Sequence, residues 1–202
     1  MGFLFKKKAT GLTEKEQLAY IKFIIEHYGP IDQIIDFGND DSFKILVIEP
    51  KEEHPYYTLF TMGFQKLKVI TYDQLSGLEF MINLPKDWNF STQGNHKDGW
   101  IINVFQCLAD KMKSPIGIIA GSTFTFGVIH EKSEHSAIYV DHNYFVPPED
   151  ATFSPSKKEN VAIFKLYTIS FEEVKAIIEG NEEIKQKIIK QNINDLDRPS
   201  FC

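Results

Sequence analysis

The chain has 202 residues, 43% of them hydrophobic and 25% charged, with 28 acidic against 22 basic side chains and a net charge of −6. That balance argues against nucleic-acid binding, which begins with neutralising phosphates, and no apolar run reaches the ~18 residues of a membrane span. Length and composition are those of a single domain with a proper core, expected over residues 12–202 behind an N-terminal tail of residues 1–11. The opening MGFLFKKKATG places its apolar residues before its lysines and has Lys6 where a myristoylation signal needs Ser or Thr, so a cytoplasmic location is expected.

Thr13 and Glu16 form a capping box, and Leu18, Ile21, Ile25 and Tyr28 mark one face of a first helix stopped by Gly29-Pro30. Strands are expected at 34–37, 44–49 and 56–62, with a turn-rich stretch at 38–42. From 78 to 84 the alternation is clean: Leu78, Phe80, Ile82 and Leu84 point one way, Glu79, Met81 and Asn83 the other. That predicts a half-buried strand with one core face. After a loop at 85–97, Asp98 is a good cap for a helix in which Trp100, Ile101, Val104, Phe105, Leu108 and Met112 make an apolar stripe, ended by Ser114-Pro115. Strands at 116–120, 137–146 and 161–169 follow, then helices at 171–179 and 182–191, the second capped by Asn181. Residues 147–159 read as a flexible loop. This order predicts an α+β fold, a mixed sheet covered by helices.

Catalytic chemistry is hard to find. His130 and His135 are five residues apart, too far for the one-turn helical pair of a zincin, although a hairpin could bring His130 and His142 together. A metal-dependent hydrolase using the His130–His142 region is therefore the alternative reading, and solvated loop histidines the main one. Gly121-Ser122-Thr123 lacks the second glycine of a nucleophile elbow, and Cys107 beside the apolar stripe reads as a small core residue. The two cysteines make no disulfide framework, and no phosphate-cradling glycine loop occurs. No catalytic residue, cofactor or metal is assigned. The aromatics carry more, because Tyr and Trp give large contact area with a polar handle. Trp88 and Trp100 flanking one loop, and His130, Tyr139, His142 and Tyr144 around the hairpin, are the candidate partner-binding residues. Arg198, the only arginine, is expected to latch the tail by pairing with a carboxylate or backbone carbonyls.

YYTLFTMGF at 56–64 and LEFMINLPKDW at 78–88 resemble two successive strands of the Suppressor-of-fused (SUFU) domain family. NYFVPPEDATF, IFKLYTISFEEVKAIIEG and the tail LDRPSFC are similar to its later strand, its closing strand and helix, and its Arg-containing end. The likeness runs from about Leu12 to the last residue and implies a helix-covered mixed sheet that binds proteins. Animal members clamp an extended peptide between two domains, and this chain resembles the first of them. Single-domain bacterial relatives imply an immunity protein that neutralises a toxin by stoichiometric binding. An acidic, aromatic-bearing face would occlude a basic toxin domain. A small self-associating scaffold is the remaining alternative.

Overall fold

The computed structural model describes residues 11–37, 43–67, 75–88, 99–112, 117–127, 129, 133–156 and 159–202. The turn at 38–42, the Asp98 cap, the Ser114-Pro115 stop and His130 lie outside these described residues. Among them the elements run α1 (Glu14–Tyr28), β1 (Gln33–Phe37), β2 (Phe43–Ile48), β3 (Tyr56–Met62), β4 (Gly77–Pro85), α2 (Trp100–Met112), β5 (Ser122–Thr125), β6 (His135–Asp141), β7 (Thr152–Ser156), β8 (Glu159–Ser170), α3 (Phe171–Ile178) and α4 (Glu182–Ile189). The strands form one mixed sheet in the order β1-β2-β3-β4-β8-β6-β5, with β7 paired to β8. The fold is α+β.

Local chemistry sets the helix ends. The Thr13 hydroxyl accepts from the Glu16 N–H at 3.3 Å while Glu16 accepts from the Thr13 N–H at 2.7 Å. Ser170 and Glu173 repeat that box at the start of α3, and Asn181 caps α4. After β3 the chain turns at Gly63, whose φ of 118° suits glycine and lets its N–H reach the Glu79 carboxylate.

One sheet face packs on α2 through Phe80, Ile82, Phe164 and Val140 against Trp100, Ile101, Phe105 and Leu108. The opposite face is covered twice. Tyr20 and Ile24 of α1 lie on Leu46, Phe60 and Ile163, and Val174, Ile184 and Ile188 of α3 and α4 lie on Tyr139, Tyr167 and Ile169. This double cover corrects the reading of β4 as half-buried. Glu79, Met81 and Asn83 are enclosed like their apolar neighbours, because a second helix layer closes what would otherwise be the solvent face. It also corrects the helix face. Leu18 and Ile25 of α1 are exposed, and the buried stripe runs through Tyr20 and Ile24.

Three further differences concern β7, residues 117–120 and Cys107. Residues 152–156, read as loop, form β7, whose Pro155 is tolerated because the strand sits at the edge of β8. Residues 117–120 form no strand. Cys107 is exposed, since it falls just outside the Val104–Leu108 stripe that faces the sheet.

The middle of the sheet is unusual. β4 and β8 run parallel from the Gly77–Val161 pair to the Met81–Lys165 pair and then part. The segment after α4 fills the gap. Asn194 N–H donates to Asn83 O at 2.8 Å, and its side-chain amide accepts from Thr168 N–H at 2.7 Å while donating to Leu166 O at 3.0 Å. One side-chain amide thus does for β8 what a neighbouring strand's peptide would do.

Candidate functional site

A split between parallel strands leaves a crevice at their carboxyl ends, a general location for binding sites in open sheets. Here it is a cleft of about 150 Å³ lined by Asn83 and Asn192, by His54 from the β2–β3 turn and Tyr56 at the start of β3, and by His27 and Phe145. His27 Nδ1 pairs with Asp150 Oδ1 at 2.5 Å, and the Tyr28 hydroxyl donates to Asp150 O at 2.7 Å, so the end of α1 is tied to the loop after β6.

Lys165 contacts two residues of this lining, Asn192 and Phe145. Its Nζ donates to Asn192 O at 2.9 Å, Asn192 Oδ1 at 3.1 Å and Gln191 O at 3.3 Å, and sits 4.1 Å from the centre of the Phe145 ring. The side chain is fully buried, and burial pushes its pKa down to about 7. Asp141, opposite Lys165 on β6, accepts from the Tyr139 and Tyr144 hydroxyls and the His142 N–H at 2.5, 2.9 and 2.7 Å.

The residues singled out in the sequence fall into separate places. Tyr139 is wholly buried and Trp100 only 4% exposed, which corrects their assignment as partner contacts: α4 covers one and the sheet the other, and neither has surface left to offer. Trp88 is half-buried, packed edge-on against Tyr57 at 5.8 Å. His130 lies outside the described residues. His142 and Tyr144 are exposed on the loop after β6, their rings 6.1 Å apart, and Phe145 beside them is 45% exposed. Asp141 therefore gathers Tyr139, His142 and Tyr144, while the two tryptophans belong to the α2 side. Among the described residues no three His, Cys, Asp or Glu side chains converge as a metal site requires.

Arg198 stands at the far end of the split. Its guanidinium donates to Glu173 Oε1 at 2.8 Å and Oε2 at 3.0 Å, and to the carbonyls of Thr168 and Pro199 at 3.0 and 2.8 Å. Glu173 is fully buried and also accepts from the Ser170 and Phe201 N–H groups. Burial pushes its carboxyl up, and Arg198 with the two amides more than offsets this, leaving it below the usual carboxylate range. Nearby His135 is buried with neither ring nitrogen bonded among the described residues, and burial together with the Arg198 charge holds it down at about 4.

Sequence reasoning passed over Lys165, Asn83 and Asn192. Lys165 had a readable signal, a lone charge inside the apolar run VAIFKLYTI. The asparagines had none, because only the tertiary split brings them together across 109 positions.

The family model of the Suppressor of fused protein (SUFU) matches residues 39–198. No curated protein matches the chain. Among solved structures, the Sufu–Fu complex crystal structure superposes with a TM-score of 0.61 at 12% identity, covering 90% of this chain and 90% of that one. A protein from Neisseria gonorrhoeae FA 1090, solved as a SUFU homolog, gives 0.62 at 19% identity over 91% and 93%. Drosophila Suppressor of Fused gives 0.50 at 10% identity over 78% of this chain and 42% of that one. At such identities these structures share the fold. Among the described residues no helix is long and apolar enough to cross a membrane. With the family model spanning residues 39–198 of 202, the chain belongs to the Suppressor of fused (SUFU) family.

Proposed function

We propose that residues 12–202 act as one non-enzymatic protein-binding domain in the cytoplasm, and that the partner docks on the end of the sheet carrying the cleft. The observation that carries this reading is the pair Tyr144 and Phe145, 55% and 45% exposed on the same loop at the cleft. Exposed neighbouring aromatics are the anchors that dominate interface energies. Membership of a family in which one structure is a Sufu–Fu complex supports it. Glu52, Glu53 and Glu149 are exposed on the flanking loops, which favours a basic partner, and an immunity protein occluding a basic toxin domain is the specific form we favour.

The test is calorimetric titration of the purified chain with the toxin domain encoded beside it. Tyr144→Ala and Phe145→Ala should each weaken binding by about 2 kcal/mol, roughly thirtyfold. Full affinity in both variants would move the interface elsewhere, and no complex with any neighbouring gene product would end the immunity reading.

A further inference from the structure

The polar lining of the cleft is biased toward donors. Lysine can only donate, so the Asn192 atom 3.1 Å from Lys165 Nζ must be the amide oxygen. That same oxygen accepts from Asn83 Nδ2 at 2.9 Å. Together the two bonds turn Asn192 Nδ2 away from both residues, and among the described residues no acceptor meets it. Asn143 in the lining commits its oxygen to the Phe145 N–H and its nitrogen to the Tyr28 hydroxyl oxygen and to Met81 Sδ at 3.0 Å, a weak acceptor. His54 at the mouth is exposed, with only a 3.5 Å contact to the Tyr56 hydroxyl.

Behind this lining is a charge without a counterion. Among the described residues the Lys165 ammonium meets carbonyl oxygens and the Phe145 ring but no carboxylate. Asp141 is already committed to Tyr139, Tyr144 and the His142 N–H. Asn192 and Phe145 touch both Lys165 and the cleft, so one layer of side chains separates the cation from the opening. A buried, unpaired cation favours a negative group brought close to it.

We propose that the cleft is a carboxylate-binding site that takes one acidic group of a partner polypeptide, hydrogen-bonded by Asn192 Nδ2 and His54 in the field of Lys165. This rests on the reading of the same end as the docking face. At about 150 Å³ the cleft is smaller than the ~300 Å³ of ordinary ligand pockets and suits a single side chain or chain end. Because Asp150 is bonded to His27 of the lining, and Glu52, Glu53 and Glu149 are exposed on the adjoining loops, the carboxylate must arrive among lysines or arginines.

The test uses the full chain, isotope-labelled, with acetate and its neutral analogue acetamide as probes. Acetate alone should shift the side-chain amide signals of Asn83, Asn143 and Asn192. Next come end-blocked five-residue peptides with a central Glu or Gln between paired lysines, and an all-lysine peptide with a free C-terminus. The Glu peptide, or the free terminus if the group is a chain end, should bind about tenfold tighter than the Gln peptide. His54→Glu, at an exposed position, should weaken that binding about tenfold with unchanged thermal unfolding. Asn192→Asp should abolish it by pairing Lys165 from within. Equal responses to acetate and acetamide, no preference of either carboxylate peptide over Gln, or an indifferent His54→Glu variant would overturn the proposal. Acetate shifts without any partner bound at Tyr144 and Phe145 would overturn the docking reading alone. Partner binding that needs those aromatics but leaves acetate silent would overturn the carboxylate site alone.

Discussion

Replacing Arg198 with alanine removes the cation from a pair whose carboxylate is sealed from solvent. The Arg198 side chain is 11% exposed and that of Glu173 is 0% exposed. The change leaves the Glu173 charge with the Ser170 and Phe201 N–H groups only, and strips one donor each from Thr168 O and Pro199 O. Breaking a buried pair from one side costs about 3–5 kcal/mol, and the slight exposure of Arg198 argues for the lower end. At about 3 kcal/mol the melting temperature of a chain this size falls by about 6–12 °C. The sign of the pH dependence follows from the depressed Glu173 carboxyl. Its stabilisation is complete above the unfolded carboxylate value of about 4.3 and is lost as pH falls through the folded one, so the gap between wild type and variant should close in acid. Urea and thermal unfolding at pH 7 and pH 3.5 measure both effects. A pairing energy near zero in a double-mutant cycle with Glu173→Ala, or melting within a degree of wild type at pH 7, would refute the latch.

Two other buried charges should shape stability in opposite directions. Burial raises Glu79 to about 7 despite the Thr61, Gly63 and Gln65 donors, so the folded state holds its proton longer and stability falls as pH rises from 4.5 to 7. Lys165, lowered from 10.5 to about 7, makes stability rise again between those values. His135, held down at about 4, makes stability rise over nearly the interval in which Glu79 lowers it, so urea midpoints should stay near level from pH 4.5 to 7 and climb above pH 7. Glu79→Gln should make the midpoints climb from pH 4.5 and Lys165→Met should level them above pH 7, and a variant whose profile matches that of the wild type would contradict its assignment. Cys107 and Cys202 are both exposed, so a thiol reagent should label both in the folded protein without denaturant; slow labelling of Cys107 would place it in the core after all.

The parts of the fold that local chemistry determines were readable. The Thr13–Glu16 box, the 56–62 strand and the Asn181 cap stand where the residue types put them. Alternation in β4 gave the strand but misjudged its environment, because Glu79 and Asn83 look the same whether they face water or a buried polar network. In α1, apolar residues occupy Leu18, Tyr20, Ile21, Phe23, Ile24 and Ile25, nearly all round the helix, so the buried stripe was fixed by packing rather than by pattern. The same limit applies to the candidate site. Tyr144 was legible as a hairpin aromatic but was expected inside a strand running to 146, which ends at Asp141, whereas the exclusion of Tyr139 and the assembly of Asn83, Lys165 and Asn192 depend on helices and a tail that arrive much later in sequence.

The wedge between β4 and β8 has a consequence for how the protein comes into being. Asn83 and Asn194, which meet there, are 111 positions apart. At synthesis rates of about 5–20 residues per second, the strand containing Asn83 leaves the ribosome roughly 6–22 s before its partner exists. Until then the inner edge of β4 offers unpaired backbone groups flanked by Phe80, Ile82 and Leu84, the kind of surface that recruits the wrong strand. Contacts this distant in sequence also slow closure once the chain is free. Closure of the sheet at this wedge thus waits for the last residues of the chain, and shielding the open edge in that interval is expected to favour correct folding.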